Sequence, residues 1–304
     1  MKAFDIQVNG YAGTDFCSPS LTAEQLHSAC VALEADGVDT ILATVITDSL
    51  DKLRLKVANL VHLREQDPLA QKMISGIHVE GPFLNPAPGY IGAHEPQHVK
   101  LANVDDAKRL LEAGNGWVRL LTLAPEMDPY FETTRYLKNE GVVVSAGHCN
   151  PSLEQLRGAI DHGLSMVTHI GNGCPVELPR HDNVIQRFLH FREQLWTCFI
   201  PDGHHINFYT LKNYLDLVGV ERAIMVTDAI TAARLGPGLH QLSGFEVEVD
   251  EDGVARRPGS ANLAGSTLTM ARLRRNLKEQ LGLSDDEIRT LIDHNPRTAL
   301  GMET

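Results

Sequence analysis

Short β-branched runs alternate with amphipathic stretches almost from one end of the chain to the other. Residues 4–8, 40–46, 73–79, 118–123, 142–145, 166–168, 197–200 and 223–227 read as eight strands. Several are apolar on both faces, as in a parallel sheet covered by helices. The intervening spacing is helical. Over residues 22–36, Leu26, Ala29, Cys30 and Leu33 share a face, Thr22 and Gln25 form a capping box, and Gly37 stands at the C′ position. Asn150-Pro151 is expected to open another helix, with Leu153, Leu156 and Ile160 inward and Gly163 at its stop.

Strand–helix alternation repeated eight times over 304 residues predicts an α/β fold, a (β/α)8 barrel of the TIM type. A doubly wound open sheet is the competing arrangement. The barrel is favoured because chemistry-bearing residues follow several strands instead of lining one crevice. Residues 234–262 break the pattern: 245–249 alternates, and Asp252-Gly253 turns the chain into Val254-Ala255, which reads as a hairpin insertion. A helix over 266–281 with Leu268, Leu273 and Leu277 follows, and Ser284-Asp285-Asp286-Glu287 is the capping box of the last one. No Pro-, Gly- or Ser-rich linker divides the chain, so residues 1–304 are expected to form one domain.

Four predicted strands end in side chains that carry chemistry: Glu80, followed by Gly81-Pro82, then His148, His169 and Asp228. One carboxylate and two imidazoles suit Zn²⁺ or another divalent transition metal with a coordination position left for water. Any one of them alone is equally an ordinary polar residue at a strand end. Three in register on neighbouring strands point to a site. Asp228 beside such a centre can take and return a proton, and Asp228-Ala229-Ile230-Thr231 can also open a turn with Asp228 as cap.

Charge and composition narrow the partners. A net charge of −12 argues against nucleic acid and requires a local positive pocket for any anionic substrate. The five cysteines are odd in number and share no CxxC spacing, which fits a reducing cytoplasm and no disulfide framework. No secretory leader is read at the start, and no apolar run approaches the roughly 20 residues of a membrane span.

The motifs Asp5-Ile6-Gln7-Val8-Asn9-Gly10, His78-Val79-Glu80-Gly81-Pro82-Phe83-Leu84-Asn85, Gly92-Ala93-His94, Ser145-Ala146-Gly147-His148, Thr168-His169, Asp202-Gly203-His204-His205, Val226-Thr227-Asp228-Ala229 and Leu263-Ala264-Gly265-Ser266 resemble, in this order and over nearly the whole chain, those of the N-acetylglucosamine-6-phosphate deacetylase family of the amidohydrolase superfamily. The resemblance implies that Glu80, His148 and His169 hold one divalent metal ion per chain, Zn²⁺ ahead of Fe²⁺, Mn²⁺ or Co²⁺. It implies that Asp228 is the catalytic acid and base and that His94 lies near the scissile acetamide. Ala93, Asn172, Gly173 and the Leu263-Ala264-Gly265 backbone match contacts to the sugar or its phosphate, and His205 matches the phosphate-binding histidine. Arg180, eleven residues after His169, matches an arginine that reaches the phosphate of the neighbouring subunit, which implies a homodimer. The alternative for Arg180 is a solvated loop charge paired to Asp182.

Of the adjacent pair His204 and His205, only one is expected to point inward. His78 reads as an interior histidine, His181, His240 and His294 as surface or structural residues, and Cys149 and Cys174 as small buried hydrophobes. Gln7-Val8-Asn9 stands where many amidohydrolases carry His-x-His and hold two metals. An amide is a poor ligand beside imidazole, so one metal is expected. Family members also carry a small β-sandwich before and after the barrel, which is expected to be absent here. Gly171 and Gly173 replace a usual aromatic and alanine, which admits another N-acetylated sugar phosphate.

The expected activity is metal-dependent hydrolysis of N-acetyl-D-glucosamine 6-phosphate to D-glucosamine 6-phosphate and acetate in the cytoplasm, with neither nucleic acid nor membrane as partner. The alternatives are a related amidohydrolase, acting as a deacetylase of another sugar, a deaminase or a cyclic amidase, or a non-catalytic barrel that binds amino-sugar phosphates.

Overall fold

The computed structural model describes residues 2–260 and 262–302. Eight parallel strands are arranged in chain order: β1 (Phe4–Val8), β2 (Thr40–Ile46), β3 (Ile74–Glu80), β4 (Val118–Leu123), β5 (Val143–Ala146), β6 (Leu164–Val167), β7 (Trp196–Phe199) and β8 (Ala223–Met225). Beyond β8 a parallel bridge between Val8 and Ala229 joins the first strand to the last, so the sheet is a nearly closed barrel. The predicted strand set and fold class match this arrangement, with ends displaced by one or two residues.

The strands are buried almost throughout, yet they alternate. Phe4, Ile6 and Val8 are apolar, while the intervening Asp5, Gln7 and Asn9 make contacts across the barrel to Thr227, Glu80 and Asp228. Period-two geometry therefore sends one face of β1 to the helices and the other to a polar interior. His78 belongs to that interior. Its Nε2 lies 2.8 Å from Thr122 Oγ1, which meets Thr168 Oγ1 at 2.8 Å, and Ser145 Oγ closes the chain at 2.6 Å. Burial, and to a lesser extent the charge of His169, push the His78 imidazole down to about 4, so it is neutral.

Helices cover the outside, beginning with α1 (Ala23–Ala35) and α2 (Leu50–Gln66). The capping boxes at Thr22/Gln25 and Ser284/Glu287 form as the sequence predicts. The helix expected from Asn150-Pro151 starts later: it spans Leu153–His162 with Ser152 and Gln155 as its capping box. Asn150 is already committed, its N–H to Glu126 and its side chain to Arg187, and Leu153 lies exposed instead of inward. The helix expected over 266–281 is shorter, Met270–Glu279 behind the cap Thr269. The last helical segment runs from Asp285 through a π-helical turn at Thr290–His294 to Ala299.

The insertion is larger than a hairpin. β9 (Gly238–Leu242), β10 (Phe245–Val249) and β11 (Ala255–Arg256) form an antiparallel three-stranded sheet with its own small core of Leu242, Val247, Val249 and Ala255 against Ile230 and Ala264. Among the described residues no helix is long and apolar enough to cross a membrane.

Candidate active site

Strand register brings the metal candidates to one end of the barrel. Ala146 pairs with Val167 across β5 and β6. His148 and His169 each stand two residues beyond that pair, so they leave the sheet at the same height. Glu80 is the last residue of β3. The chain bends immediately at these points: His148, His169 and Asp228 have φ of 51°, 27° and 51°. Left-handed backbone is uncommon for residues other than glycine, though His, Asp and Asn are its usual occupants, and its clustering at strand ends marks a functional site.

The ligand atoms of Glu80, His148 and His169 lie within 4.8 Å of one another, all three residues buried. His169 Nε2 is 3.0 Å and His148 Nε2 3.2 Å from the same oxygen, Glu80 Oε1. The other Glu80 oxygen accepts from Gln7 Nε2 at 3.3 Å. His148 Nδ1 lies 2.8 Å from the carbonyl oxygen of Tyr90. A carbonyl only accepts, so Nδ1 carries a proton, and Nε2, which meets Glu80 here, is the nitrogen that faces the cluster and can give its lone pair once a cation takes the place of its proton. Buried O, N, N donors of this spacing suit a divalent transition metal, so the residues present fit such an ion.

Electrostatics agree. Burial alone would raise the Glu80 carboxyl, but hydrogen bonds from His148 and His169 and their charge hold it well below the usual range. Burial opposes a charged His169, yet the bond to Glu80, the Glu80 charge and Asp228 raise it. Burial pushes Asp228 up to about 6, with Glu80 adding to the rise, while His169, His205 and the hydrogen bond from Asn9 restrain it. Asn9 Nδ2 is 2.7 Å from Asp228 Oδ1. His94 lies between Thr47 Oγ1, 3.0 Å from its Nδ1, and His148 Nε2, 3.2 Å from its Nε2. Burial and the neighbouring His148 push it down to about 3, so the ring is neutral.

These groups open on a cavity of about 370 Å³, a size suited to a sugar phosphate. Of the residues predicted to touch substrate, Ala93, His94, Asn172, Gly173, His205, Leu263 and Gly265 line it, together with Asp228 and the three metal candidates. His204 is exposed, and His205 is the inward member of the pair. Ala264 does not face the cavity; it is fully buried in the core of the insertion. Arg180 is exposed, and among the described residues Asp182 pairs with Arg187 and not with Arg180.

Two loops are held tightly around His148. A Cβ at Gly173 would lie 2.6 Å from His148 Nδ1, and one at Gly92 2.8 Å from His148 Cε1. Both glycines have positive φ, so their conformation and the close approach exclude a side chain together. Sequence reasoning missed Arg257. Its Nη2 donates to Ala93 O at 2.7 Å and pairs with Glu95 at 2.7 Å, while the guanidinium lies 3.7 Å from the centre of the Phe245 ring. Arg257 thereby fastens the loop bearing His94 to the inserted sheet.

A (β/α)8 barrel with a Glu, two His and an Asp gathered at the carboxyl ends of its strands defines the amidohydrolase class of metal-dependent hydrolases. No family model matches the chain. The N-acetylglucosamine-6-phosphate deacetylase of Bos taurus is 30% identical over 310 residues, covering 98% of this chain and 73% of its own. The N-acetylgalactosamine-6-phosphate deacetylase of Shewanella sp. (strain ANA-3) is 31% identical over 280 residues, covering 92% and 68%. The solved structure of a Mycobacterium smegmatis N-acetyl-D-glucosamine-6-phosphate deacetylase variant in complex with N-acetyl-D-glucosamine-6-phosphate superposes with a TM-score of 0.89 at 30% identity, over 99% of this chain and 77% of that one. The chain belongs to the N-acetylglucosamine-6-phosphate deacetylase family.

Proposed function

We propose that the chain hydrolyses N-acetyl-D-glucosamine 6-phosphate to D-glucosamine 6-phosphate and acetate, using one divalent metal ion held by Glu80, His148 and His169. The observation that carries this reading is the convergence of those three residues with Asp228 and His94 on one cavity in a member of this family. The ion supplies Lewis acidity toward water and the acetyl oxygen. Asp228 takes the proton of the attacking water and returns it to the departing amine. Its raised pKa keeps it basic enough for the first step, and Asn9 fixes the oxygen that does not react. Neutral His94 donates to the oxyanion that develops on the acetyl group.

His205 and the Asn172-Gly173 loop are assigned to the sugar phosphate. Arg180, unengaged by Asp182, is assigned to the phosphate of a second subunit, so the active form is a homodimer. All five cysteines are free, in keeping with a reducing cytoplasm.

Zn²⁺ leads as the metal, ahead of Fe²⁺, Mn²⁺ and Co²⁺, because structural and catalytic N/O sites of this kind hold it readily. The test is acetate release from N-acetylglucosamine and N-acetylgalactosamine, each with and without the 6-phosphate, across these metals. Fastest turnover of N-acetylglucosamine 6-phosphate is expected. The 31% identity to the Shewanella enzyme favours a second reading, the galactosamine epimer, and a faster rate on that substrate selects it. Acetate release from none of the four substrates refutes both.

A further inference from the structure

We propose that Asp202 is the positioning residue for the phosphate end of the cavity, fixing the ring of His205 so that Nε2 faces the ligand. The inference rests on the amino-sugar-phosphate reading above. After β7 the chain turns at Asp202-Gly203, where Gly203 has φ of 85° and a Cβ would lie 2.8 Å from the Phe208 ring. The turn aims the N–H groups of His204 and His205 at Asp202 Oδ1, 2.8 Å each. The remaining oxygen, Oδ2, takes the Nδ1–H of His205 at 2.6 Å. Both side chains are more than nine-tenths buried, at 6% and 7% exposure.

With both Asp202 oxygens engaged and Nδ1 committed as donor, Nε2 is the nitrogen left for the cavity that His205 lines. A buried carboxylate near a phosphate site repels the ligand unless it carries its own cation. The arrangement is consistent with that requirement: burial raises the Asp202 carboxyl, but the hydrogen bond and charge of His205 outweigh it and hold it below the usual range. In a chain of net charge −12, the pair sets the carboxylate behind the ring, so that the imidazole and not an oxygen faces the docking anion.

Asp202→Asn keeps an oxygen for the two backbone N–H groups but presents an NH₂ that cannot accept from Nδ1. The expected result is a rise of about ten- to hundredfold in KM for N-acetylglucosamine 6-phosphate with kcat within about threefold. The penalty should be at least about tenfold smaller for unphosphorylated N-acetylglucosamine, and inhibition by inorganic phosphate should weaken by the same factor as KM. Adding Asp202→Asn to His205→Gln should cost nothing further. An unchanged KM, or equal losses on both substrates, overturns the proposal. Should the variant not fold, ¹H–¹⁵N spectra of the metal-loaded wild-type protein decide: a proton on His205 Nδ1 at neutral pH supports the pairing, and a neutral ring protonated at Nε2 alone refutes it. Failure of the wild-type chain to release acetate from any phosphorylated amino sugar refutes the functional reading instead. The phosphate titration and the spectra still judge Asp202.

Discussion

Asn9 aims its amide nitrogen at Asp228 Oδ1 across 2.7 Å, tying the first barrel strand to the residue that follows the eighth. A hydrogen bond to a charged group contributes roughly 1.5–3 kcal/mol. Here it also restricts which Asp228 oxygen is free. Asn9→Ala is expected to lower kcat about ten- to hundredfold while metal content stays as in the wild type. Turnover within twofold of the wild type would show that the contact does not orient the carboxylate.

Gln7 and Asn9 both spend their amide nitrogens on carboxylates, Gln7 on Glu80 and Asn9 on Asp228. That leaves β1 without an imidazole to share a second cation. Chelation should abolish activity, and reconstitution should restore it at one ion per chain, measured by elemental analysis. Two ions per chain at full activity would mean that the first strand can rearrange into a ligand.

Asp228→Asn should cost orders of magnitude in turnover and spare metal binding. Burial and Glu80 push the free carboxyl up to about 6, and the base must be ionised to accept a proton. The kcat/KM of the wild type therefore falls as pH drops through about 6, or lower once a bound cation favours the carboxylate. A profile flat down to pH 4 would remove Asp228 from the role.

Two neighbouring glycines separate contact from strain. Gly173→Ala puts a Cβ 2.6 Å from His148 Nδ1, whereas at Gly171, also at positive φ, the nearest atom is Ile185 Cδ1 at 3.9 Å. Gly173→Ala should disturb the His148–Tyr90 bond and weaken metal affinity about ten- to hundredfold. Gly171→Ala should lose stability only, read as a lower Tm. Equal metal affinity in the two variants would show that His148 has room to move.

Asp5 should make folding stability depend on pH. It is buried under Thr227, whose Oγ1–H it accepts at 2.6 Å, and burial lifts its pKa from 3.8 to about 7 despite that bond. Between those values the folded chain holds a proton that the unfolded chain has released. Stability carried by the neutral form is complete below about 4 and lost as pH rises through about 7. Asp5→Asn stays neutral and retains an acceptor, so its Tm relative to the wild type should rise by several degrees from pH 5 to pH 8 in metal-free melts. A constant difference would place the Asp5 titration outside this range.

The barrel was legible because its strands are β-branched runs closed by chemical residues, and three of the predicted strand ends carry the metal candidates. What escaped has a common cause in tertiary contact. β8 stops at Met225, short of the expected Thr227, because the Asp5 carboxylate takes the Thr227 N–H in place of a neighbouring strand. β9 was invisible: Gly-Leu-His-Gln-Leu shows no alternation, and it is a strand only because β10 pairs with it. Tyr90 acts through a carbonyl that every residue possesses, and Arg257 sits in a basic pair that reads as solvated. Asp202 was seen as part of a motif, but its two occupied oxygens could be read only from the turn that Gly203 makes.

The left-handed backbone at His148, His169 and Asp228 limits what laboratory evolution can explore here. Such positions accept Asn, Asp, His or Gly with modest strain and resist Val, Ile and Thr. A library aimed at a new metal preference would do best to draw from that small alphabet at these three codons and leave broader randomisation to Glu80, which ends its strand in ordinary extended geometry.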